Sequence, residues 1–112
     1  MVNRKDFLGL FESNRYTIHT IFINGFFLAI ESRHFAEATF FENWIKAHFY
    51  KENEAYLRIV FKLAQGELLF LQGNKENGLK QMKQAVHILQ LLDCQTSAEY
   101  YQNGIEKLLK EN

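Results

Sequence analysis

Apolar residues recur along this chain at intervals of three and four, separated by short polar breaks, and that spacing predicts a succession of amphipathic helices. Asn3 followed by Asp6 opens a short first helix to about Phe11, and Ser13-Asn14 opens a second that runs to about Glu31. Ser32-Arg33 breaks the pattern. A third helix is predicted from Phe35 to Tyr50, with Phe40, Phe41, Trp44, Ile45 and Phe49 at helical spacing, and Asn53 restarts the chain. The fourth, from Glu54 to about Leu71, carries one apolar stripe of Leu57, Val60, Phe61, Ala64, Leu68 and Leu71 with Ile59, Leu63 and Phe70 beside it. A helix apolar on more than one face is packed between neighbours.

Gly73-Asn74 supplies a glycine suited to a left-handed helix end and an asparagine suited to cap the next helix. In the fifth helix Leu79, Met82, Ala85, Val86, Leu89 and Leu92 share a face, which leaves Lys80, Lys83 and Gln84 in water. Thr96 and Glu99 read as a capping box for a last helix carrying Tyr101, Ile105, Leu108 and Leu109. Connections this short fold helices back into antiparallel hairpins. Gly66, Gly73, Gly78 and Ala85 follow one another at spacings of seven, five and seven around one such hairpin. With Leu69 and Met82 they fit the small and large positions of a tetratricopeptide unit of about 34 residues. Phe35 and Ala38 give a weaker second match, with Ala38 set against Gly78 at a wider interval than that unit. The expected fold is all-α: antiparallel helical hairpins in a TPR-like right-handed superhelix of about six helices.

The chain has 112 residues, which is the length of one domain, and it has no proline and no Ser/Gly-rich linker, so a single repeat-like domain over 1–112 is expected. Eleven phenylalanines point to helices packed on bulky side chains. Thirteen basic residues balance thirteen acidic ones, so the chain lacks the positive field on which direct DNA binding depends. The uncharged run from Thr17 to Ile30 falls short of the roughly 20 apolar residues that cross a bilayer, and reads as a core helix. A single cysteine, Cys94, forms no intrachain disulfide, which fits a cytoplasmic protein.

The sequence carries no catalytic or metal-binding pattern. His19, His34, His48 and His87 are spread over separate helices and loops, so no two share a helix turn as metal ligands do. Asp93 beside Cys94 opposes formation of a reactive thiolate. The glycines form no phosphate-binding loop, and Glu37, Glu42, Glu52 and Glu54 lack the Glu-x-x-His pattern of di-iron helical proteins. Lys75, Lys80 and Lys83 are diluted by Glu76 and read as solubilising surface. The expectation is no enzyme and no cofactor.

Phe61-Lys-Leu-Ala-Gln-Gly66, the following Leu-Leu-Phe-Leu-Gln-Gly73, Gly78-Leu-Lys-Gln-Met82 and Ala85-Val-His-Ile-Leu together resemble the carboxy-terminal domain of Rgg/GadR/MutR-type transcriptional regulators, from about Phe26 onward. The resemblance implies a helical regulatory domain of quorum-sensing regulators that binds short apolar peptide pheromones and forms a homodimer. It also implies that DNA is reached only through a separate helix-turn-helix domain. Neither a basic recognition helix nor the Ala-x-x-x-Gly turn of such a domain occurs in this chain. A general TPR-like adaptor for protein partners is the alternative reading.

In repeat hairpins the first helix of each pair lines the concave groove, one turn off the packing stripe. On the second helix this selects Thr20, Ile23, Asn24 and Phe27, and on the fourth Val60, Leu63, Glu67 and Phe70, as the expected peptide-binding residues. Asn24 stands out because its carboxamide both donates to and accepts from an extended peptide backbone.

Overall fold

A computed structural model describes residues 15–48 and 55–111. Among these are five helices: α1 (Arg15–Glu31), α2 (Phe35–His48), α3 (Ala55–Leu71), α4 (Lys75–Leu91) and α5 (Gln95–Glu111). The short helix predicted from Asn3 to Phe11 lies outside the described residues, so six helices become five among those described.

The turns after α1, α3 and α4 are built alike. In each, the amide of a left-handed residue donates to the carbonyl three back, and the next amide donates to the carbonyl five back. The pairs are Arg33 to Ile30 with His34 to Ala29, Gly73 to Phe70 with Asn74 to Leu69, and Asp93 to Gln90 with Cys94 to Leu89. This is the Schellman arrangement, which satisfies carbonyls that a helix end leaves open. The left-handed φ is 62° at Arg33, 103° at Gly73 and 62° at Asp93. Each turn then starts the next helix directly, because the carbonyls of His34, Asn74 and Cys94 accept the amides of Ala38, Gly78 and Ala98. Those three small residues are all buried.

The structural repeat therefore runs from Arg33 to Gly73 to Asp93. One helix with its turn takes about 20 residues and one hairpin about 40, longer than a tetratricopeptide unit of about 34. The weaker sequence match, Ala38 set against Gly78, is the pair that occupies equivalent positions, since each follows its turn in the same way. Two expectations about caps change. Asn74 caps α4 through its backbone carbonyl, and its side chain makes no capping hydrogen bond. Helix α5 begins at Gln95, before the predicted Thr96 cap, so Thr96 and Glu99 lie inside the helix and Cys94 is the capping residue.

Two compact units divide the chain, Met1–Leu57 and Arg58–Asn112. In the first, α1 lies against α2 with Ile23, Phe26, Ala29 and Ile30 of α1 and Ala38 and Ile45 of α2 buried. Fully burying an aliphatic or phenyl side chain of this kind is worth about 1.5–3 kcal/mol. The two helices approach where α1 has no side chain: a β-carbon on Gly25 would lie 2.8 Å from Cζ of Phe41. One turn away, Phe22 stacks on Trp44 at 3.6 Å between ring centroids, and Trp44 in turn stacks on His48 at 4.0 Å. His48 Nδ1 lies 2.8 Å from the Trp44 carbonyl; because a carbonyl only accepts, the ring nitrogen donates. His19 is buried and meets the Trp44 ring edge-on at 5.8 Å.

In the second unit α3 is buried over most of its circumference, with Val60, Phe61, Leu63, Ala64, Leu68 and Phe70 inside and Arg58 and Lys62 outside. Its close crossing with α4 is made by two glycines. A β-carbon on Gly78 would stand 2.5 Å from the carbonyl oxygen of Gly66 and 2.6 Å from the amide nitrogen of Phe70. Gln81 braces the edge of the crossing by donating from Nε2 to the Lys62 carbonyl at 3.0 Å. Helix α4 contributes Met82, Ala85, Val86 and Leu89 to this core, and α5 adds Ala98, Ile105 and Leu108.

Candidate functional site

The eight expected peptide-binding residues separate by burial. On α1, Asn24 is exposed and Thr20 and Phe27 are half-buried, while Ile23 is 2% exposed and belongs to the core. Thr20, Asn24 and Phe27 follow one another at four and three positions, so they share one side of α1. On α3, Glu67 is half-buried, and Val60, Leu63 and Phe70 are buried. The Lys75 ammonium stands 5.7 Å from the centre of the Phe70 ring, a cation–π contact at the entry to α4. The two sets belong to different compact units, α1 to the first and these α3 residues to the second.

On that side of α1 stand a carboxamide, a hydroxyl and part of an aromatic ring. Those three side chains have the chemistry to bond an unpaired peptide backbone and cover one apolar side chain, and none of them is an acid, base or activated nucleophile. Among the described residues, no group of three or more His, Cys, Asp or Glu side chains is placed to hold a metal ion. No helix among them is long and apolar enough to cross a membrane.

Exposed apolar residues form a feature that sequence periodicity did not separate. Ile21 and Leu28 on α1 and Phe40 on α2 each keep more than half of their surface in water, as do Leu91 and Tyr100 in the second unit. Ile21 and Leu28 are two turns apart and mark a second apolar line on α1, where an ordinary surface helix carries polar residues. In a helix apolar nearly all round, no phase of the pattern distinguishes that line from the buried one.

Helical hairpins joined by tight turns make this an all-α protein over the described residues. The family model for the C-terminal domain of the HTH-type transcriptional regulator Rgg matches residues 1–103. The chain belongs to that family. No curated protein matches the chain.

Proposed function

We propose that this chain is the ligand-sensing and dimerisation domain of a transcriptional regulator, that its ligand is a short apolar peptide of the quorum-sensing kind, and that it acts in the cytoplasm without enzymatic activity. The match to the regulator family over residues 1–103 carries this reading. The exposed Asn24, flanked on its side of α1 by Thr20 and Phe27, supports it, since a peptide backbone needs both donors and acceptors. Glu67 supplies the corresponding polar position on α3. Within their own units, Ile23 backs the α1 surface, and Val60, Leu63 and Phe70 back the α3 surface, as buried apolar supports. In this reading the helical hairpins are TPR-like, and DNA is contacted by a separate helix-turn-helix domain.

Hydrogen exchange of the chain with and without a panel of short apolar peptides tests the location. Slowed exchange centred on Thr20 to Phe27 and on Glu67 is the expected outcome. Protection confined to other helices would remove these residues from the site. Binding only to folded proteins, and to no peptide, would make the domain an adaptor instead.

A further inference from the structure

Asparagine precedes glycine three times in this chain, at Asn24-Gly25, Asn77-Gly78 and Asn103-Gly104. This pair is chemically unstable in an open backbone. The amide nitrogen of the glycine attacks the asparagine Cγ, the new N–Cγ bond forms as Cγ–Nδ2 breaks, and ammonia leaves. Water then opens the cyclic imide at either carbonyl and yields aspartate or isoaspartate, so no oxidant or reductant is consumed. An α-helix suppresses the attack, because its ψ turns the following nitrogen away from the side chain and the hydrogen on that nitrogen is donated to the carbonyl four back. The reaction therefore proceeds from locally opened backbone, and its rate reports how tightly the glycine is held.

All three asparagines are exposed, so the glycines decide. Gly78 is buried, its amide bonded to the Asn74 carbonyl at 3.0 Å and the space around its Cα taken by the backbone of α3. Gly25 is half-buried beneath the Phe41 ring. Gly104 is exposed, and nothing stands within 4 Å of the place its β-carbon would occupy. Asn103, Gly104, Glu106 and Lys107 all face water, and only Ile105 ties that turn to the core. Asparagine and glycine are also two of the poorer helix formers, side by side in mid-helix.

We propose that Asn103-Gly104 is the site of spontaneous deamidation in the folded protein, with Asn24-Gly25 and Asn77-Gly78 held inert by the packing of their glycines. The product places a new carboxylate one turn from Glu99 and Glu106. The isoaspartyl form adds a methylene to the backbone and interrupts α5 ahead of Leu108, a buried residue.

Ageing the full chain in mildly alkaline buffer, alongside the same chain in urea, and mapping peptides by mass spectrometry tests this. Isoaspartate is counted by enzymatic methylation. The ratio of the urea rate to the buffer rate gives the protection at each site. Protection at Asn24 and Asn77 exceeding that at Asn103 by at least roughly ten-fold is expected. Gly104→Ala removes modification at Asn103 and leaves the other two unchanged. Equal protection at the three sites, or earlier modification of Asn24 or Asn77 in buffer, overturns the proposal.

Discussion

The β-carbon of any other residue at position 78 would stand only 2.5 Å from the carbonyl oxygen of Gly66, and so these two glycines set how closely α3 and α4 cross. Alanine in place of glycine ordinarily stabilises a helix by about 0.5–1 kcal/mol. At this crossing the sign reverses. For Gly78→Ala the obstructing atoms are all backbone, and overpacking is expected to give a net loss of about 1–3 kcal/mol in urea unfolding. At Gly66 the nearest atom is Cγ of Met82, which can move, but the Gly78 oxygen at 2.9 Å cannot. Gly66→Ala is expected to lose less than Gly78→Ala. Gly104→Ala is the matched control, with the same chemistry and no neighbour, and should raise stability by about 0.5–1 kcal/mol. Equal responses at positions 78 and 104 would mean that the crossing does not limit the approach of the helices.

The three left-handed turn positions give a second test. A residue with a β-carbon costs about 1–2 kcal/mol in this conformation. Gly73→Ala should therefore destabilise, although nothing stands within 4 Å of the added methyl. Asp93→Gly should stabilise by about 0.5–1 kcal/mol. Arg33→Gly should gain less, since the Arg33 guanidinium donates to the carbonyls of Ile30 and Glu31 at 3.3 and 3.2 Å and those bonds are lost. Thermal unfolding of the three variants ranks them.

Helix ends and the helix crossing were legible in the sequence where polar or small residues marked them. Ser32-Arg33 and Gly73-Asn74 flagged two ends correctly, and Gly66 and Gly78 flagged the crossing. The turn at Asp93 was harder to place. Aspartate in a left-handed conformation leaves no glycine signal, and Thr96-Glu99 imitates a cap two positions too late. For the candidate site, the sequence distinguished exposure from burial better at polar positions than at aliphatic ones. Asn24 and Glu67 stay accessible because they are costly to bury, whereas Ile23, Val60, Leu63 and Phe70 lie on helices apolar on several faces, where periodicity cannot separate groove from core. The Phe22–Trp44–His48 stack had no local signal, because it depends on the register between two helices.

Trp44 is the chain's single tryptophan, so its fluorescence reports that stack directly. A double-mutant cycle of Phe22→Leu and Trp44→Leu should give a coupling of about 0.5–1.5 kcal/mol, the usual worth of an aromatic pair beyond its area. Phe22→Leu alone should shift the tryptophan emission. A coupling near zero with unchanged emission would mean that the rings are not stacked in solution.

Net charge and fold together predict that the isolated chain binds no DNA in a sequence-specific way, because thirteen cations offset by thirteen anions release few counterions from a duplex. A gel shift that is both tight and sequence-selective would contradict this.

The proposal that the domain senses a short apolar peptide is tested most directly by thermal unfolding of the chain with and without such peptides. A peptide that binds the folded state alone, present at about 100 times its dissociation constant, adds about 2.7 kcal/mol, which for a domain of this size is a rise of several degrees in Tm. That rise is expected with at least one apolar peptide, and Asn24→Ala should diminish it without lowering the Tm of the peptide-free chain. An unchanged Tm across the whole panel, or a rise that Asn24→Ala leaves intact, would contradict it.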